Sequence, residues 1–169
     1  MLFRSDTRAY DRLDIYIEKI FSKLKKYPDK KTIVKLHPGQ VDYDIKPIIK
    51  KIDPFAPIFQ NEDILKLIGN CDFMISLNFS TILLEAMILH KPTIVILPEE
   101  QNFEEEYLIK KQATLCVNKI EDLESAIHKI MHDEGFRQKL IRNGDEFVKE
   151  YFSNGGNASE EFARFLKIT

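Results

Sequence analysis

Residues 72–97 read DFMISLNFSTILLEAMILHKPTIVIL and carry the strongest structural signal in the chain. Residues 72–76 and 93–97 form two short apolar runs, a pattern typical of strands that are covered on both faces. Between them, a polar turn over residues 78–81 leads into an apolar helix over residues 82–90, which ends at Lys91-Pro92. This unit predicts two parallel strands joined by a helical crossover.

The same alternation of strands and helices extends outward through most of the chain. Further strands are predicted at residues 2–3, 32–37, 57–59 and 115–117, and further helices at residues 11–24, 43–52, 61–68, 103–112, 120–131, 134–152 and 159–166. The predicted fold class is therefore α/β, with a doubly wound, mostly parallel sheet and helices on both faces. We expect residues 1–169 to form one domain, because this length is ordinary for a single hydrophobic core.

Composition restricts the kind of partner that the chain binds. With 44% hydrophobic residues, 31% charged residues and a formal net charge of -2, we expect a soluble protein without bulk attraction for nucleic acid. We expect a cytoplasmic location, because the start of the chain turns polar at once and no apolar run is long enough to span a membrane. Cys71 and Cys116 are interpreted as buried, reduced thiols, and His128 and His132 as a surface pair without a metal ion.

Candidate functional residues follow the predicted strands, because ligands of such sheets bind beyond the carboxyl ends of the strands. The segment from Asn78 to Glu85 is the first candidate. Ser80 and Thr81 lie at a helix N-terminus, where backbone N–H groups and hydroxyls suit a phosphate. Glu85 lies one turn later on the same helix face and suits ribose hydroxyls. The alternative is a helix cap followed by a solvated acid, but a capping box would place the acid three residues after the cap.

Two further places meet the same criterion. His37 ends the strand over residues 32–37, where it could donate to a phosphate or act as a catalytic acid, and strand alternation puts Lys35 on the same side. The alternative is a histidine that merely ends a strand. Glu100 and Gln101 lie in the polar loop over residues 98–102, where carboxylate and amide groups suit sugar hydroxyls. The alternative there is an ordinary polar loop at a helix start.

At these residues the chain resembles the C-terminal, donor-binding half of the GT-B glycosyltransferases, and most of all the CDP-glycerol glycerophosphotransferase and surface-polysaccharide transferase group. Residues 35–38 (KLHP) are similar to that group's basic-x-His-Pro motif, whose histidine is implicated in binding the donor phosphate. Residues 72–76 and 80–86 (STILLEA) resemble its block for the diphosphate and ribose, although Asn78 stands where an acid is common. Glu100-Gln101-Asn102 loosely resembles a loop that touches the donor sugar, and residues 156–160 resemble a terminal block of the same group.

The resemblance implies a transferase of glycosyl or glycerophosphoryl groups that takes a UDP- or CDP-linked donor, a nucleotide-activated sugar or polyol phosphate, with no further cofactor. The product would be a surface polysaccharide or a polymer like teichoic acid. We expect the N-terminal acceptor domain of such enzymes to be absent, which implies a fragment, a truncated gene product or one subunit of a split enzyme. Peripheral membrane association would come through that N-terminal domain or a partner subunit. The alternatives are a relative of the nucleotide-sugar 2-epimerases and a non-catalytic subunit that docks through its C-terminal helices.

Overall fold

The computed structural model describes residues 2–3, 13–39, 44–97, 107–152 and 156–167. Their centre is a parallel six-stranded sheet with the strand order β3-β2-β1-β4-β5-β6. The strands are β1 (Leu2–Phe3), β2 (Val34–Leu36), β3 (Ile58–Phe59), β4 (Met74–Leu77), β5 (Thr93–Ile96) and β6 (Leu115–Val117). The predicted doubly wound α/β fold is confirmed, and the strand order reverses between β1 and β4.

Helices cover both faces of this sheet. They are α1 (Leu13–Leu24), α2 (Lys46–Ile52), α3 (Ile64–Gly69), α4 (Ile82–Ile88), α5 (Tyr107–Lys110), α6 (Leu123–His132), α7 (Glu134–Tyr151) and α8 (Ala158–Lys167). Alternate residues of β5 enter different clusters: Ile94 and Ile96 pack with α1, α2 and α6, whereas Val95 packs with α3 and α4. An apolar run buried on both faces is the reason that β5 does not alternate between apolar and polar residues.

Local hydrogen bonds determine where α3 begins and where α4 ends. The helix predicted over residues 61–68 begins at Ile64 instead, because the Asp63 carboxylate caps α3 by accepting a hydrogen bond from the Leu65 N–H. Helix α4 ends two residues earlier than predicted, because His90 adopts a left-handed conformation (φ 54°). The His90 N–H donates to the Met87 carbonyl and the Lys91 N–H to the Ala86 carbonyl, which is the Schellman arrangement.

Other boundaries also differ from the sequence-based ranges. The helix predicted from Ile120 opens with a 3-10 turn, Ile120–Asp122, and becomes α-helical at Leu123. Of the helix predicted over residues 103–112, residues 107–110 are helical, and residues 98–106 lie outside the described part. Cys71 and Cys116 are free, as predicted, but both are half-buried and not fully buried. Among the described helices, none has the length and apolar character that crossing a bilayer requires.

Candidate functional site

The carboxyl ends of the parallel strands define one edge of the sheet, which we call the rim. Phe3 pairs with Leu36 of β2 on one side and with Leu77 of β4 on the other, so these three residues lie at the same height. Residues 37 and 78 therefore both leave the sheet at the rim, on either side of β1. Two strand spacings separate β2 from β4, which is roughly 10 Å. The structure thus brings His37 and the turn after β4 to the same rim, at the point where the strand order reverses.

The turn after β4 is built by Asn78. This residue has a positive φ of 63°, which asparagine tolerates better than most side chains. Its N–H donates to the Ile96 carbonyl (2.8 Å), its side-chain oxygen accepts from the Phe79 N–H (2.8 Å), and its carbonyl accepts from the Ser76 hydroxyl (3.0 Å). The side chain of Asn78 therefore shapes the turn, and its predicted contact with a donor stays a prediction.

Ser80 and Thr81 precede α4 on this rim. The Leu83 and Leu84 N–H groups donate to the Ser80 and Thr81 carbonyls at 3.0 Å, so the helix starts with a tight first turn. Thr81 occupies the N-cap position, yet its side chain makes no capping hydrogen bond, and the residue is exposed. The capping alternative therefore does not account for the Thr81 hydroxyl, which is open to a ligand.

Glu85 lies one turn into α4 among apolar residues, because Ile82, Leu83, Ala86 and Met87 are all buried. Within the described part of the chain, its Oε2 is the buried side-chain polar atom that has no hydrogen-bond partner. A buried carboxylate oxygen without a donor is costly, because it has lost its hydration without replacement. Such an atom needs an explanation, and a ligand that supplies donors is one.

His37 is exposed just beyond the end of β2. Its Nδ1 accepts a hydrogen bond from the Gly39 N–H at 3.1 Å. A neutral imidazole whose Nδ1 accepts carries its proton on Nε2. The turn at Pro38-Gly39 therefore favours the neutral tautomer in which Nε2–H is a donor, which is a form that can donate to a phosphate oxygen.

Lys35 is buried, with only 6% of its surface exposed. Its ammonium donates to the carbonyls of Leu36 (2.9 Å) and Gln60 (2.7 Å). Burial lowers the pKa of Lys35, and the nearby carboxylates of Glu62 and Glu85 oppose that shift. The prediction that Lys35 contacts the donor itself stays a prediction, since the two hydrogen bonds that we observe go to main-chain carbonyls.

Sequence reasoning missed the loop after β3. The Gln60 side-chain amide donates to the Pro38 carbonyl at 3.4 Å, and the Gln60 N–H donates to the Glu62 carboxylate at 3.1 Å. Both residues follow the carboxyl end of a strand, so the criterion that selected residue 37 would also have selected them. The predicted sugar contacts Glu100 and Gln101 lie outside the described residues.

The structure also places the histidine pair considered as a metal site. His128 and His132 are exposed on α6, with ring centroids 4.5 Å apart. No group of three or more histidine, cysteine, aspartate or glutamate side chains in the described ranges is arranged to hold a metal ion.

The chain matches one family model, and its fold is similar to that of several solved structures. A family model described as protein of unknown function (DUF354) matches residues 6–156. A search of the curated proteins gave no match. Among solved structures, spinosyn rhamnosyltransferase SpnG complexed with thymidine diphosphate superposes with a TM-score of 0.64 at 15% identity, over 88% of this chain and 41% of that one.

Two further glycosyltransferases have the same fold. WaaG, a glycosyltransferase involved in lipopolysaccharide biosynthesis, superposes with a TM-score of 0.61 at 13% identity, over 87% of this chain and 41% of that one. The glycosyltransferase SnogD from Streptomyces nogalater superposes with a TM-score of 0.55 at 18% identity, over 86% of this chain and 38% of that one. The chain therefore spans about two fifths of the length of these proteins and has the Rossmann-like fold of one half of a GT-B structure.

Proposed function

The chain belongs to the family described as protein of unknown function (DUF354), and we propose that it is the donor-binding half of a glycosyl- or glycerophosphotransferase. Its ligand in this proposal is a nucleotide-diphospho-activated donor, held at the rim between β2 and β4. The diphosphate lies against Ser80, Thr81 and the first amides of α4, and the ribose lies against Glu85. His37 donates from Nε2 to a phosphate oxygen.

The unpaired carboxylate oxygen of Glu85 is the observation that carries this proposal. A ribose offers two adjacent hydroxyl donors, and a carboxylate can accept from both. Glu85 follows Thr81 by four residues, so the two side chains share a helix face about 6 Å apart along the axis. That separation suits a nucleotide whose phosphate sits at the helix start and whose ribose sits one turn further along.

The solved structures add support at the level of the fold. SpnG has a related fold and was solved with thymidine diphosphate, and the rim of a doubly wound sheet is where such ligands bind. In a glycosyl transfer the bond between the sugar and the diphosphate breaks, and the nucleoside diphosphate leaves. In a glycerophosphoryl transfer the bond between the two phosphates breaks, and the nucleoside monophosphate leaves. In both reactions negative charge grows on the leaving phosphate. Amide and hydroxyl donors at residues 80–82, together with the Nε2–H of His37, would stabilise that charge.

The finer parts of the proposal concern the donor and the partner. We propose a UDP- or CDP-linked donor, a surface polysaccharide or teichoic-acid-like product, and a cytoplasmic site of action. The acceptor half comes from an N-terminal GT-B domain or a partner subunit, which also provides any contact with the membrane. Helix α8 suits such a partner, because Phe162 and Phe165 are 63% and 66% exposed.

Calorimetric titration of the chain with UDP, CDP and CMP tests the proposal. We expect at least one diphosphate to bind, and to bind more tightly than the monophosphate, because the second phosphate adds contacts at the α4 start. Donor turnover by the isolated chain should be negligible. A folded sample that binds none of the three nucleotides would refute the donor site.

A further inference from the structure

Lys35 occupies an unusual position for a lysine. Lysine is almost never fully buried unless it is paired, yet Lys35 is buried in a strand whose neighbours Val34 and Leu36 belong to the core on the opposite face. Together with Ile64, Leu67 and Met74, Lys35 lines an apolar hollow. Its ammonium ends near the rim, where it meets main-chain carbonyls and not solvent.

The two carbonyls that Lys35 binds belong to different segments of the rim. The Leu36 carbonyl is part of the peptide unit that joins Leu36 to His37, so a hydrogen bond to it restricts the backbone from which the histidine projects. The Gln60 carbonyl belongs to the loop after β3. One ammonium therefore ties the end of β2 to the neighbouring loop.

The same loop holds the far side of the His37 turn. The Gln60 side-chain amide donates to the carbonyl of Pro38, the residue after His37. The Glu62 carboxylate accepts from the Gln60 N–H, and its negative charge opposes the lowering of the Lys35 pKa by burial. Lys35 thus holds the peptide unit before His37 and Gln60 holds the one between Pro38 and Gly39, while the Gly39 N–H contacts the imidazole ring.

We propose that Lys35 is a positioning residue that acts on the donor through His37, a role that rests on the function proposed above. It holds the backbone at residues 36–38 so that the Gly39 N–H reaches Nδ1 and the ring keeps its proton on Nε2. Without the ammonium, the turn relaxes and the ring samples both tautomers. A ring with its proton on Nδ1 presents a lone pair at Nε2, which repels a phosphate oxygen.

Nuclear magnetic resonance of the nucleotide-free chain tests the clamp itself. In the wild type we expect the imidazole ¹⁵N shifts of His37 to report the Nε2–H tautomer. In Lys35→Met, which keeps the apolar stem and removes the ammonium, we expect averaged shifts and a moved Gly39 amide signal. The control Lys149→Met removes an exposed lysine of α7 and should leave both signals unchanged. Unchanged His37 signals in a folded Lys35→Met sample would overturn the proposal.

Measurements of nucleotide binding distinguish a positioning role of Lys35 from direct contact between Lys35 and the donor. We expect Lys35→Met to weaken nucleoside diphosphate binding about threefold to tenfold. This loss should be smaller than the one caused by His37→Ala, which removes the imidazole itself. In a His37→Ala background the same substitution should give no further loss, because its effect passes through the ring. Additive losses would mean that Lys35 contacts the donor directly. If the wild type binds no nucleotide, the donor-site proposal fails, while the resonance measurement still decides the clamp.

A measurement on the wild type covers the case in which Lys35→Met does not fold. We expect the Lys35 ammonium to exchange slowly with water and to show scalar couplings to the carbonyl carbons of Leu36 and Gln60. Saturation with UDP or CDP should leave these couplings in place. Fast exchange, or couplings that disappear when nucleotide binds, would overturn the proposal.

Discussion

Replacing Glu85 with methionine should change stability and affinity in opposite directions. Methionine has a similar length, favours helices and carries no group that needs a strong hydrogen bond. Glu85 is half-buried beside the buried apolar residues of α4, so the substitution removes one orphaned carboxylate oxygen. A buried unsatisfied polar group costs about 1–3 kcal/mol, and more when it is charged. We therefore expect the unfolding free energy of the nucleotide-free chain to rise by about 1–3 kcal/mol.

One opposing contribution comes from Lys35. The Glu85 carboxylate raises the pKa of Lys35, so its loss leaves that buried ammonium less compensated. This contribution is smaller than those of burial and of Glu62, so we expect the net effect to remain stabilising. For a chain of this size, 1 kcal/mol shifts Tm by about 2–4 °C. The expected rise in Tm is therefore about 2–12 °C.

Affinity should fall in the same variant. Hydrogen bonds to a charged group contribute about 1.5–3 kcal/mol, so losing the contacts with the ribose should weaken nucleotide binding by about 10- to 150-fold. Scanning calorimetry and titration calorimetry on one preparation give both numbers. The matched control is Glu146→Met, at an exposed carboxylate of α7, which should alter neither. A Glu85→Met chain that is less stable than wild type and binds nucleotide with equal affinity would refute the reasoning.

Three further predictions concern the α4 start, a thiol and a helix contact. Ser80→Ala and Thr81→Val should each weaken diphosphate binding by about tenfold with stability within about 0.5 kcal/mol of wild type, because the Thr81 side chain makes no cap; equal affinities in titration would contradict this. Burial raises the pKa of Cys116 to about 11, so in Cys71→Ser the remaining thiol should react slowly with a disulfide reagent at pH 8.5 and faster as the pH rises to 11; rapid reaction at pH 8.5 would disprove the shielding. A methyl on Gly144 would lie 3.1 Å from Met87 Cγ, so denaturant unfolding should show Gly144→Val destabilised by about 1–3 kcal/mol, and an unchanged midpoint would show that α4 and α7 pack loosely.

Sequence patterns predicted the elements of the fold because apolar periodicity reports burial directly. The run at residues 93–97 indicated a strand covered on both faces, and its alternate residues do enter two different clusters. The position of β1 in the middle of the sheet could not be predicted from the sequence. Leu2-Phe3 is two residues long, and nothing local shows that it pairs with both β2 and β4. Strand order depends on long-range pairing, which periodicity does not encode.

Helix ends were less predictable than helix positions. Both His90 and Gln112 adopt left-handed conformations just after helices, although glycine is the residue that usually signals such an ending. In each case the hydrogen bonds of the Schellman arrangement offset the strain of a non-glycine residue. The sequence around residue 90 suggested an end through Lys91-Pro92, which placed the boundary two residues late.

Some features of the candidate site were predictable from the sequence and others were not. Glu85 was predicted as a ribose ligand from its spacing after Thr81, and because a lone acid on an apolar helix needs a partner or a cleft. Its Oε2 has no hydrogen-bond partner among the described residues, and its contact with a ribose stays a prediction. Lys35 was predicted as a donor ligand from its place beside His37 in a strand. Its hydrogen bonds to the Leu36 and Gln60 carbonyls depend on how the β3 loop lies against β2. No local pattern contains that information.

A crystal structure of the chain with UDP or CDP would test the central claim most directly. The account predicts phosphate oxygens within about 3.2 Å of His37 Nε2 and of donors at residues 80–82, and ribose hydroxyls against the Glu85 carboxylate. A nucleotide bound at the amino-terminal edge of the sheet, or one that leaves Glu85 without a partner, would contradict it.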